Sequence, residues 1–467
     1  TLHLKIAAVL EERAPNLKET QPELLAHHYT EAAHFDKAIP LWHRAGQLAI
    51  RRMALTEAVR HLNRGLDLIA AVAPSTQRDG WELDLHTALT TAWMGLRGWQ
   101  AEEIWTSAFP ALALARSLRR VDALLPILRA TFFNVMSVGR IADSLGWARQ
   151  TLEAAEMYQD RNLLIWGHSA TVAASFYTGD FIACRHHARQ LLSIYDMDRD
   201  RHLADVLNHD PESHTLHYMV KAVWILGYPD EAVRLNAAKE AHVRQRGHPF
   251  DLTFTAATGA QLFNYLHQSD QALACAREGE RLGREHGLPF FSNVIAPMHS
   301  GMSLIRLNKV VEGTRLLSTS LAAWEASGGG RAGATYCKTV LAEGLAQLGD
   351  LDEALRLFDT AIEQAERPGW EERCYLAEIL RVKGELLAKN GDFEDAEINY
   401  LASLDQARRQ QARSWELRTA MSYARLMRDQ GRAWAAYHLL APVYDWFTEG
   451  FDTRDLQEAK SLLAELR

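Results

Sequence analysis

Twenty histidines and four cysteines make metal and thiol chemistry the first possibilities to weigh. A protein metal site needs three or four nitrogen, sulfur or oxygen donors that converge on one point. The tightest groups are His27-His28, His186-His187, and His214 with His217. Adjacent residues on a helix point in different directions around its axis, so the two doublets cannot both ligate easily. His214 and His217 share a face, yet no third donor lies at a helical spacing from them. Surface or groove histidines, and no metal, are the expectation. Asp196-Met197-Asp198-Arg199-Asp200 imitates the start of a calcium loop. Such a loop needs Gly at its sixth position and Glu at its twelfth, where this chain has Arg201 and Leu207. Cys184, Cys275, Cys337 and Cys374 are far apart with no CxxC, which signals neither a zinc site nor a disulfide framework and points to reduced thiols. Gly328-Gly329-Gly330 lacks the Lys-Ser/Thr pair and the preceding strand of a phosphate loop, and reads as an inter-helix turn. Glu371-Glu372 falls at a helix start, where carboxylates favour the dipole. No catalytic, cofactor-binding or metal residue is expected in this chain.

The elements that position these residues follow from a repeat. Gly349-Asp350-Leu351-Asp352-Glu353-Ala354 returns as Gly391-Asp392-Phe393-Glu394-Asp395-Ala396, and more faintly at Gly431 to Ala436. After each turn, small and large apolar residues alternate on one helical face: Ala354, Phe358, Ala361 and Ile362, then Ala396, Tyr400, Ser403 and Leu404, then Ala436, Leu440, Val443 and Tyr444. The Gly ends the preceding helix because it can turn left-handed at little cost. One period is a helical hairpin that cannot bury its apolar face alone, so stacking must supply the core. The expected fold is all-α: a right-handed superhelical solenoid of about ten antiparallel hairpins with a period near 40 and essentially no sheet.

Along the chain, Leu2 to Glu12 reads as a helix stopping before Pro15, and Pro22 opens the next. Similar helices begin near Asp36 and Thr56, 20 residues apart, as the two halves of one hairpin. Pro74 to Gly80 is a polar break. The small-residue signal then recurs at Ser144, Cys184, Ala232, Ala272, Gly313, Ala354, Ala396 and Ala436, with gaps of 40, 48, 40, 41, 41, 42 and 40. The long gap places an inserted loop near 195–211. These signals divide the chain into a short segment, 1–20, N-terminal repeats over 21–78, and a main solenoid over 79–467 whose aromatic end near 440–467 acts as a cap. Cys184 falls where the repeat wants a small apolar residue, which argues against a nucleophile.

A net charge of -8 with no basic segment excludes a nucleic-acid footprint. No apolar run is long enough to cross a bilayer, so a cytoplasmic protein is expected. The hairpin pattern resembles tetratricopeptide repeats, and that resemblance implies that the first helix of each hairpin lines the concave surface of the stack. That register puts His214, His217, Lys221 and Trp224 on one face, as it does Arg418, Met421, Arg425 and Arg428, and nearly so Glu378, Arg381, Glu385 and Lys389. These are the candidate groove residues; solvated faces with local ion pairs are the bland alternative, and Trp224 would serve equally as core.

The hairpin pattern resembles tetratricopeptide repeats, although its period exceeds that family's usual 34 residues. Gln21 to Ala32, Leu226-Gly227-Tyr228-Pro229-Asp230-Glu231-Ala232, Lys383 to Leu387 and Pro442 to Thr453 are similar to the C-terminal repeat region of large bacterial signalling ATPases of the AAA or STAND type. Such proteins commonly carry a class III adenylate/guanylate cyclase or a transcriptional domain upstream. The resemblance implies that 1–20 is the tail of an ATPase or winged-helix module and that ATP and Mg belong only to upstream domains. It implies a regulatory module, itself no enzyme, that binds a protein partner, a signal, or its own upstream domains on a concave face. Homo-oligomerisation and a passive scaffold stay open as alternatives.

Overall fold

The computed structural model describes residues 2–14, 16–207, 209–326 and 332–467. The helix stop at Pro15 and the three-glycine turn at 328–330 lie outside them. Among the described residues there are 25 α-helices and no strand, arranged as antiparallel hairpins in sequence order. The chain is thus an all-α solenoid of the tetratricopeptide type.

The repeat positions show why. Ser144, Cys184, Ala232, Ala272, Ala354, Ala396 and Ala436 are each 0 % exposed, and Gly313 is buried as well. At each of these positions a neighbouring helix leaves no room for a larger side chain, while Phe358, Tyr400 and Leu440 fill the space one turn on. The turns before the last three hairpin halves are left-handed at Gly349, Gly391 and Gly431, as the Gly spacing requires. A close crossing joins Ala296–Arg306 to Val310–Ala326 through Gly301 and Gly313: a Cβ on Gly313 would lie 2.7 Å from the Gly301 carbonyl oxygen.

Two compact units are present. One comprises Thr1–Val138 with Gln150–Leu164. It contains the hairpin Phe35–Arg51 and Leu55–Ile69, packed through Ala38, Ala58 and Leu62. The polar break is shorter than its sequence suggests, because Ser75 accepts a hydrogen bond from the Arg78 amide and caps a helix that already begins at Thr76.

The other unit comprises Gly139–Arg149, Ile165–Ser327 and Arg331–Arg467. Here the row of hairpins curls tightly enough to meet itself. Helix Pro211–Ile225 packs against helix Arg413–Asp429, five hairpins later: Ser414 Oγ donates to the Trp224 carbonyl at 2.6 Å, and the Trp224 and Trp415 rings lie 4.8 Å apart. Gly139 seats the Trp370 ring, and the Ala142 amide donates to the Gly369 carbonyl. The aromatic segment near 446–451, expected as an end cap, packs Phe447 with Leu440 and Val443 of the last hairpin and also returns to the turn at 227–231. Trp446 covers Gly227, the Gly450 amide donates to Asp230, and Glu449 accepts the Glu231 amide. The insertion is no bare loop either: it forms a short helix, His202–Leu207, with Leu203, Ala204 and Leu207 buried.

Candidate functional site

Because the curl closes, the first helices of the hairpins in this second unit do not line an open trough at Trp224. They pack around one another. Every residue of Pro211–Ile225 except Glu212 is buried, and Arg413–Asp429 is buried from Ser414 to Ala424. A helix buried on all sides is ordinarily apolar. These helices instead carry His214, His217, Lys221 and Arg418 inward, and Leu376–Asn390 carries Glu378, each less than a tenth exposed. Buried ionisable groups cost several kcal/mol unless paired, about what a small domain's whole stability can spare, so each must find a partner or lose its charge.

At one end Lys221 gathers with histidines, and among the described residues no carboxylate stands beside it. Lys221 Nζ lies 2.9 Å from His217 Nε2, and His217 Nδ1 lies 3.2 Å from Thr258 Oγ1. The ammonium sits over the Phe176 ring at 4.4 Å and the Tyr218 ring at 4.8 Å. His214 Nδ1 meets Ser169 Oγ at 3.1 Å. Burial pushes the Lys221 amine down to about 7 and His217 well below an ordinary imidazole, the Lys221 charge adding to the latter. His299, also buried, is pushed down to about 4 by burial and then by Lys221. His217, Thr258 and His299 occupy one repeat position, 41 residues apart at each step. That period could have added Thr258 and His299 to the candidate set from sequence.

At the other end, both signs are present and paired. Arg381 binds Glu378 through Nε and Nη2 at 2.7 and 2.9 Å, and Glu385 through Nη1 at 2.5 Å. Arg418 Nη2 lies 2.8 Å from Asp455 and Nη1 3.5 Å from Glu378; it also donates to the Tyr265 carbonyl and lies over the Trp224 ring at 4.8 Å. Arg306 donates to Tyr336 Oη at 2.9 Å and to the Asn264 carbonyl at 3.0 Å. An aromatic spine joins the two ends through Phe176, Tyr375, Tyr336, Tyr265 and Trp415, with ring centroids 4.8 to 6.1 Å apart.

The candidate groove residues therefore separate into distinct environments. His214, His217 and Lys221 meet in the basic cluster, and Trp224 is core, 2 % exposed, between Tyr265 and Trp415. Glu378, Arg381 and Glu385 form one ion network, while Lys389 is exposed. Arg418, Arg425 and Arg428 face the last helix, Arg454–Glu465, and pair with its Asp455, Glu458 and Glu465. That arginine face is thus covered by the end of the chain. Nothing in the local spacing of 413–429 identifies the helix that covers it.

The remaining residues with chemical potential are structural. Glu372 does not serve a helix dipole: it is 0 % exposed and accepts from the Gly333 amide, Thr335 Oγ1, Gln364 Nε2 and Trp370 Nε1. Asp196 accepts the amides of Asp198 and Arg199, closing its own turn. Each histidine doublet sends one ring to a distant histidine, His28 to His3 and His187 to His168, both at 2.9 Å. Among the described residues no three His, Cys, Asp or Glu side chains converge as metal ligands would, and no helix is long and apolar enough to cross a membrane.

No protein-family model matches the chain, and no curated protein matches it. Solved structures do. A Rap protein complexed with competence and sporulation factor superposes with a TM-score of 0.51 at 14% identity, over 84% of this chain and 100% of that one. The anaphase-promoting-complex tetramer Cut9-Hcn1 gives 0.48 at 12% identity, over 99% and 86%. A STAND ATPase with a tetratricopeptide repeat sensor from Pyrococcus horikoshii gives 0.43 at 12% identity, over 83% and 55%. The first likeness shows a shared fold. The scores of the other two are too low to bear on this chain's function.

Proposed function

We propose that this chain is the sensor module of a bacterial signalling ATPase, receiving a protein or small-molecule signal on the inward faces of its first helices and passing it to ATPase and effector domains in the same polypeptide. The observation that carries this reading is the buried His214–His217–Lys221 cluster. A scaffold needs an apolar interior, and the Lys221–His217 pair, with no carboxylate beside Lys221 among the described residues, costs stability that a purely structural role does not require. The Rap protein of similar fold is described as complexed with competence and sporulation factor, which fits a binding role. The similarity of Leu226 to Ala232 and of Pro442 to Thr453 to signalling ATPases supports the link to an ATPase, with a class III cyclase as the effector. In that setting ATP and Mg act only on the ATPase and effector domains, the module works in the cytoplasm without touching nucleic acid, and this chain itself turns nothing over.

The coupling has a physical basis. Hairpins five apart touch at Ser414–Trp224 and at Gly450–Asp230, so a ligand that alters the spacing of the inner helices alters the pitch of the whole unit. Nucleotide turnover of the full polypeptide, compared with a version lacking residues 1–467, tests the assignment. A sensor changes the basal rate on deletion; a scaffold for oligomerisation leaves the rate per protomer unchanged, and that result would replace the present reading.

A further inference from the structure

The basic cluster also specifies what kind of molecule would bind there, an inference that rests on the sensor reading just given. Lys221 lies 2.9 Å from His217 on its own helix, and its charge interacts with Cys184 on Phe181–Ile194, Lys239 on Pro229–Arg246, His299 on Ala296–Arg306, and Cys374 on the turn Arg373–Tyr375. Among the described residues, no carboxylate is in that set. Lys239 is itself buried and pushed down to about 8 by that burial. His299 Nδ1 has no hydrogen-bond partner although its residue is only 7 % exposed. A buried ammonium with neutral imidazoles beside it is an incomplete ion pair: it lacks the anion that would repay its desolvation.

His214, His217, Tyr218 and Phe291 each keep 8 % exposure, and Phe254 and Thr258 are half-buried. Aromatic rings stand beside them. Phe290, 39 % exposed, touches Phe291; Phe250 and Phe291 lie 5.4 Å apart; and Phe254 stacks on Phe250 and meets His217 at 4.8 Å. The helix carrying His299 begins in a π-turn, Phe291–Ile295, an irregularity that is rare and tends to accompany binding sites.

We propose that Lys221, His217 and His299 form a receptor for the oxyanion of a small aromatic acid, whose ring lies against Phe254 and Phe291. The ammonium supplies the charge, His299 Nδ1 supplies a neutral hydrogen bond, and the rings replace water around the body of the ligand. Carboxylates and phosphate monoesters share this chemistry, and the test separates them.

Calorimetry on the 467-residue chain with phenylacetate, phenyl phosphate, inorganic phosphate and the neutral isostere phenylacetamide decides the matter. The expected result is that one aromatic anion binds at least tenfold more tightly than phenylacetamide and than inorganic phosphate, and that Lys221→Met and His299→Leu each weaken it at least tenfold. Because an anion stabilises the protonated amine, binding above pH 7 should also take up a proton, read on the unaltered protein from the buffer dependence of the heat. Equal binding of the amide, unchanged affinity in a folded Lys221→Met protein, or no proton uptake would overturn the proposal. Anion binding with no effect on nucleotide turnover of the full polypeptide refutes the sensor reading and leaves the site standing. A turnover response to some other signal, without anion binding, does the reverse.

Discussion

Arg418 is the position where the curl of the second unit can be tested most directly. Its guanidinium, 5 % exposed, joins helix Arg413–Asp429 to Asp455 of the last helix, to Glu378 and to the Tyr265 carbonyl, and it covers the Trp224 ring. Arg418→Met keeps much of the volume and removes the charge. Glu378 retains two hydrogen bonds from Arg381, but Asp455 keeps only His267 at 2.9 Å. Removing one partner of a buried pair costs about 3–5 kcal/mol, and the cost here falls mainly on the stranded Asp455. The double variant Arg418→Met/Asp455→Leu removes both charges and should recover all but about 1–2 kcal/mol, the loss left by the unpaired Tyr265 carbonyl and His267. Urea unfolding followed by circular dichroism measures both. The sign of the pH dependence is fixed as well. Burial alone would raise the Asp455 carboxyl, but the Arg418 charge and the hydrogen bonds from His267 and Arg418 hold it well below the usual range. A carboxyl depressed on folding adds stability above its unfolded pKa and loses it as pH falls through the folded value. The gap between the native protein and Arg418→Met should therefore be full at pH 7 and shrink as pH drops below about 4. A single variant that costs under about 1 kcal/mol, or a double variant no better than the single, would refute the view that this arginine holds the curl closed.

Two further outcomes are expected. Gly313→Ala puts a methyl 2.7 Å from the Gly301 carbonyl oxygen and the Ile305 amide nitrogen, backbone atoms that cannot swing aside, and should destabilise by about 1–3 kcal/mol in the same unfolding assay; a neutral result would mean the crossing is looser than described. Cys184, Cys337 and Cys374 are buried with their thiols raised by that burial, whereas Cys275 is partly exposed, so a disulfide-exchange reagent should modify at most Cys275 in the folded protein and all four once it is unfolded. Rapid reaction of a second thiol in the native state would contradict that burial.

What the sequence determined by itself was the hairpin and its period. The small residues at Ser144, Cys184 and Ala232 through Ala436 are buried because a neighbour in the row must approach there, and this demand is local enough to leave a mark every 40 residues or so. The candidate inner-face residues were legible for the same reason, since helical spacing decides which side chains share a face. Their fate was decided only in three dimensions. Trp224 became core, Arg418, Arg425 and Arg428 received the last helix, and His217 and Lys221 met His299, because the small rotation from one hairpin to the next adds up until elements five hairpins apart touch. A rotation summed over many helices depends on every interface at once, so no single stretch of residues records where Gly450 will find Asp230 or Ser414 will find Trp224.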